Sequence, residues 1–168
     1  MTAAPTPPET ATAPVTATGP TKVALADLPQ HVGTVFGPSS WRAISQEEVG
    51  DFADLTGDHN PIHVDPEAAA RSPFGGTIVH GYLTLSLVVP LMAEILEVTG
   101  VTTGINYGLD RLRFPAPVRV GARVRVQSTL REVTEVPGGY QTVFESVFEV
   151  EDQARPAAVA MMVLRFLG

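Results

Sequence analysis

The 168-residue sequence contains no cysteine, which removes disulfides, thiolate metal sites and a cysteine nucleophile together. Lysine is nearly as scarce, with Lys22 alone beside ten arginines. The 11 basic residues face 18 acidic ones, and a net charge of −7 argues against nucleic-acid binding, which needs a basic face for phosphate contacts. Single arginines still offer planar, bidentate contacts to a phosphate; Arg71, Arg111 and Arg113 are candidates, although salt bridges or surface charge are plainer roles for each. The N-terminus lacks the basic and apolar regions of a secretory signal, so a cytoplasmic location is expected. One stretch, Thr77 to Val98, approaches the ~20 apolar residues of a membrane span. His80, Pro90, Glu94 and Glu97 lie within it, and the cost of intramembrane charge makes it a core helix instead.

With 44% hydrophobic residues, the chain is long enough for one core and short for two. Ala, Thr and Pro supply 17 of the first 22 residues, too little apolar surface to offset ordering entropy. The expected organisation is a disordered tail over 1–22 and a single domain over 23–168.

Ser45-Gln-Glu-Glu48 has the form of a capping box and opens a short helix with Val49, Phe52, Ala53 and Leu55 on one side, stopped by Gly57. Asp65-Pro66 reads as an N-cap followed by Pro at the first helical position, giving a short helix through Ala70. From Gly81 to about Val98 the sequence is apolar on nearly every side, so other structure must wrap it, and Pro90 predicts a kink or break. The period then changes from helical to alternating. Gly121 to Val133 places Val124, Val126, Ser128 and Leu130 on one face and arginines and polar residues on the other. Tyr140 to Val150 follows the Pro137-Gly138-Gly139 turn, and Ala157 to Leu167, Ile105 to Phe114 and the short Thr34 to Phe36 complete four or five strands. Such a sheet covers only one side of an apolar helix, which predicts an open face and a homodimer.

The segment Gly57 to Asp65, GDHNPIHVD, concentrates the chemistry. Asp58 and His63, held five positions apart by an Asn-Pro turn, can bind one water and pass protons. Taken singly, Asp58 has a local turn role and His63 a structural hydrogen bond as simpler readings. Asn60 belongs to the turn and can also orient a neighbour, while His31 and His59 show no evident partner and read as surface residues. Asp58, His63, Asp65 and His80 also admit a two-His, carboxylate metal reading, but the spacing is not that of a helical metal motif and no metal is expected. Gly81, after His80, either permits close packing or exposes a backbone N–H to an oxyanion at a helix start.

GDHNPIHVDPEAA, then GTIVHG ending at Gly81, then INYGLDRLRFPAPVRVGARV from Ile105 to Val124 resemble the MaoC-like (R)-specific enoyl-CoA hydratase family, with the region from Gly104 closest to mycobacterial single-domain members. The resemblance covers Trp41 to Gly168. It implies an α+β hotdog fold, a long central helix wrapped by a curved antiparallel sheet, and hydration of trans-2-enoyl-CoA to (R)-3-hydroxyacyl-CoA. It also implies an acyl-CoA substrate and no metal or redox cofactor. Asp58 and His63 would activate water, the Gly81 N–H would polarise the thioester carbonyl, and Asn60, His80 and Ser86 are expected to contact substrate. Where some members carry a supporting Ser on the central helix this chain has Val89, with Ser86 about one turn earlier. Dehydration on an acyl-carrier protein, thioester hydrolysis and non-catalytic acyl-CoA binding are the alternatives.

Overall fold

The computed structural model describes residues 19–168. Most of the expected tail lies outside the described residues, but Thr21 and Lys22 already belong to the first strand, β1 (Thr21–Ala24). A 3-10 helix, Leu25–His31, follows and buries Leu28. Two short strands, β2 (Val35–Phe36) and β3 (Arg42–Ala43), lead to α1 (Gln46–Thr56).

The start and stop of α1 follow from local chemistry. The Ser45 hydroxyl accepts from the Glu48 N–H, and the Glu48 carboxylate accepts from the Ser45 N–H at 2.8 Å. Gly57 ends the helix at φ 79°, in the left-handed region that glycine enters without steric cost, and donates its N–H to the Ala53 carbonyl. Two short helices come next, α2 (Pro61–Val64), capped by Asn60, and α3 (Pro66–Ala70), capped by Asp65.

The central helix is in two pieces, α4 (Gly81–Ser86) and α5 (Val88–Ile95), interrupted at Leu87 rather than at Pro90. Proline disrupts a helix through the carbonyl four residues earlier, here that of Ser86, and is tolerated in a first turn. Pro90 therefore sits in the first turn of α5, and the interruption falls one turn upstream. The helix also ends earlier than expected, because Leu96–Thr99 forms β4, paired in parallel with β1.

The remaining strands are β5 (Thr103–Arg113), β6 (Arg123–Val136), β7 (Gly139–Val150) and β8 (Ala158–Leu167). They form a six-stranded antiparallel sheet in the order β2-β6-β7-β8-β5, with β3 also on β6. The alternation read in β6 holds: Val124, Val126, Ser128 and Leu130 are fully buried. Val124, Val126 and Leu130 join Phe144 and Phe148 of β7 and Ala160 and Met162 of β8 against Leu87, Val88, Leu91 and Ile95 of the central helix. The opposite side of that helix is open, with Tyr82 67% and Val89 55% exposed, and the edge strand β5 exposes Ile105, Tyr107 and Leu109. No helix among the described residues is long and apolar enough to cross a membrane.

Candidate active site

The chain turns sharply at the C-terminus of α1, and its next charged side chain is Asp58. The carboxylate is 55% exposed, and the Asp58 N–H reaches the Thr56 hydroxyl at 3.4 Å. Asn60 then caps α2 by accepting from the Ile62 N–H at 3.3 Å. That cap places His63 at the inner end of a single helical turn, where it is buried.

His63 Nδ1 lies 2.7 Å from the Ile78 carbonyl, so in the neutral ring the proton sits on Nδ1 and the Nε2 lone pair is free. Its backbone is held as well. Gln46, the first residue of α1, donates its amide to the His63 carbonyl at 2.8 Å and accepts from the Thr77 hydroxyl at 2.7 Å. Gln46 looked like an ordinary helix-opening residue in the sequence; only its two distant partners reveal that it ties both histidine-bearing segments together.

His80 immediately precedes α4 and is 2% exposed. Its ring stacks on His63 at 3.8 Å between centroids with 29° between planes, and Phe52 lies against it at 5.0 Å. Its Nε2 is 3.0 Å from the Asp58 carbonyl and 4.0 Å from the Asp58 carboxylate. Substrate contact was the expectation for His80, but so enclosed a ring has little surface to offer a ligand.

Asp58, His63 and His80 each place a ligand-type atom within 4.8 Å of the others. Asp65 does not join them, because its carboxylate caps α3 through the N–H groups of Glu67 and Ala68. Two imidazoles stacked so nearly parallel cannot both aim a lone pair at one ion ~2 Å away, which makes the cluster a poor fit for a tetrahedral metal. Proton transfer suits it better.

Beside the cluster a cavity of about 280 Å³ is lined by His63, Phe74, Ile78, Gly81, Thr84 and Phe114, among others. A methyl group on Gly81 would come within 3.0 Å of the Phe114 ring, so glycine permits close packing here. Its N–H makes no hydrogen bond outside α4 among the described residues, and Gly81 lines the same cavity. Ser86 lies elsewhere: it is exposed and donates to the Tyr82 carbonyl at 2.8 Å. Val89 lines a separate apolar cavity of about 180 Å³ with Met92, Asn106 and Met162.

His59 is exposed, as expected, but it has a partner, and His31 is less exposed than expected. His59 pairs with Asp54 at 2.8 Å, and that hydrogen bond, with the Asp54 charge behind it, raises the imidazole above its ordinary value. His31 is half-buried near the Phe36 ring at 6.5 Å.

A divided central helix against an antiparallel sheet, with Asp58 and His63 beside the first helical turn, defines a hotdog-fold protein. Residues 27–150 match the model of the MaoC-like domain. The chain belongs to the MaoC-like dehydratase family. It is 49% identical to 3-hydroxyacyl-thioester dehydratase Z of Mycobacterium tuberculosis over 86% of this chain and 96% of that protein. Nodulation protein N of Rhizobium leguminosarum is 44% identical over 83% of this chain and 88% of its own. Among solved structures, the (R)-hydratase of A. caviae involved in PHA biosynthesis superposes with a TM-score of 0.66 at 28% identity, covering 79% of this chain and 94% of the other.

Proposed function

We propose that this protein is a lyase that adds water reversibly across a trans-2-enoyl-CoA thioester to give the (R)-3-hydroxyacyl-CoA. The observation that carries the reading is the Asp58–His63 pair beside a cavity that His63 lines, with the His63 Nε2 lone pair free and the Asp58 carboxylate open to water. Water held between them gives one proton to the pair as its oxygen bonds to the β-carbon. The double-bond electrons move toward the thioester carbonyl, whose developing negative charge the Gly81 N–H stabilises. The pair then returns a proton to the α-carbon, so water is added and no other atom is gained or lost. Neither a metal nor a redox cofactor takes part, and strong chelators are expected to leave turnover unchanged. Asn60 acts through the turn that sets the distance between Asp58 and His63.

The expected single domain over 23–168 is extended to begin with β1 at Thr21, and a cytoplasmic location and no nucleic-acid partner complete the reading, the last supported by the net charge of −7. The proposal also includes a homodimer. The open side of α4 and α5 and the exposed apolar residues of β5 supply the surface for a second copy. Light scattering at micromolar concentration is expected to give twice the chain mass, and a monomer would remove this part.

Crotonyl-CoA and a longer trans-2-enoyl-CoA, followed by ultraviolet absorbance of the conjugated thioester, test the reaction. The expected result is loss of absorbance and an (R)-3-hydroxyacyl product. Thiol release with absorbance retained would mean hydrolysis instead, and thioester binding without either change would leave an acyl-binding module.

A further inference from the structure

Among the described residues, His80 is the one buried titratable group that the proposed chemistry does not use. It is anchored at its own backbone, where its carbonyl accepts from the Thr84 N–H at 3.0 Å and the Thr84 hydroxyl at 3.3 Å. From that root its ring meets three other segments. Phe52 of α1 packs on it, His63 of α2 stacks against it, and its Nε2 reaches the main-chain carbonyl of Asp58 in the loop between those helices.

The hydrogen-bond pattern settles the orientation of the ring. The Asp58 carbonyl can only accept, so His80 Nε2 donates, and in the neutral ring Nδ1 carries the lone pair. Nδ1 is buried and has no partner among the described residues. Asp58 makes no side-chain hydrogen bond there, and its N–H contact to Thr56 is long at 3.4 Å. The His80 bond is therefore the main polar tether between the Asp58 residue and the body of the fold.

We infer that His80 is a positioning residue: by bonding the Asp58 main chain through Nε2 and stacking its ring on His63, it sets the separation of the two groups proposed to move protons. This rests on the reading of Asp58 and His63 as that pair. The role is distinct from substrate contact, because His80 acts through Asp58 and His63.

Two substitutions separate the parts of the role. His80→Phe keeps an aromatic ring against His63 and removes the donor to Asp58; His80→Gln keeps a donor and removes the ring. Turnover of crotonyl-CoA by His80→Phe is expected to fall ~10-fold or more with KM within about twofold of the parent, since uniform binding is untouched. His80→Gln is expected to recover part of that loss. The deciding measurement is a double-mutant cycle with Asp58→Asn. If His80 works through Asp58, His80→Phe costs far less in the Asp58→Asn background than in the parent.

Equal fold losses in both backgrounds would overturn the inference, as would a rise in KM at constant kcat. Thermal unfolding of each variant checks that the fold survives, and should His80→Phe fail to fold, His80→Leu, which also lacks the donor, carries the same cycle. A different failure is recognisable: full turnover in Asp58→Asn itself would remove the proposed pair and this inference with it. Parent-like kcat in His80→Phe, with Asp58→Asn still impaired, would remove the inference alone.

Discussion

Strands β6 to β8 and the helical segment from Gln46 to Ser86 both bury polar side chains, and they treat them in opposite ways. In the strands, Ser128 and Ser146 hydrogen-bond each other at 2.8 Å, and Thr142 donates to the Leu164 carbonyl at 3.3 Å. In the helical segment, His63 spends one nitrogen on Ile78 and keeps the other free, and His80 Nδ1 is left without a partner. A buried group without a partner costs about 1–3 kcal/mol. The strands satisfy their buried polar groups, whereas the segment beside them leaves His80 Nδ1 unpaired next to the two groups proposed to move protons.

Substitutions on either side should therefore separate stability from turnover. The largest effect is expected from Phe144→Ala, which empties a fully buried site facing the central helix. A loss of ~3–5 kcal/mol in denaturant unfolding is expected, with kcat per folded molecule little changed. A large drop in kcat of the folded fraction would contradict the division.

Asp58→Asn and His63→Gln come next. Each is expected to lower turnover by ~10² or more, equivalent to ~2.7 kcal/mol of barrier, consistent with general acid/base contributions. Exposed Asp58 should alter the unfolding temperature little. Unchanged turnover in both variants would end the assignment of the pair.

Ser45→Ala removes the hydroxyl that caps α1 and is expected to cost ~1 kcal/mol. Because Gln46 follows directly and holds the His63 carbonyl, this variant should also lower kcat modestly, unlike a loss of equal size in the sheet. Comparison with a sheet variant matched in unfolding free energy checks that difference.

The smallest effect is a pH dependence at the same cap. The Ser45 N–H, with Arg42 nearby, holds the Glu48 carboxyl below its ordinary value of 4.5. Its contribution is present above pH ~4.5, the unfolded value, and is lost as pH falls through the lower folded value. Glu48→Gln should flatten the stability profile in that acid window, measured by thermal unfolding, and leave it unchanged near neutrality. The side chain is 37% exposed, so solvent screening keeps the difference small.

What the amino-acid sequence determined alone was what neighbours along the chain decide. The Ser45 capping box, the Gly57 stop, the Asp65 cap and the buried alternation from Val124 to Leu130 depend on residues within a turn or a pleat of one another. Asp58 and His63 were legible as neighbours for the same reason, two polar side chains on one short turn that the structure brings together. The disruption by Pro90 was legible in kind, yet its location at Leu87 followed from the reach of the proline ring to an earlier carbonyl.

Only the tertiary structure decided the contacts between distant segments. It paired Thr21–Ala24 with Leu96–Thr99, took Leu96 and Val98 out of the expected helix, and set Gln46 between His63 and Thr77. It also left Ser86 on the surface and stacked His80 on His63. Periodicity and capping act over a few residues, whereas these contacts exist only when packing of the central helix against the sheet brings separate turns together, and nothing in a local pattern encodes which turns will meet.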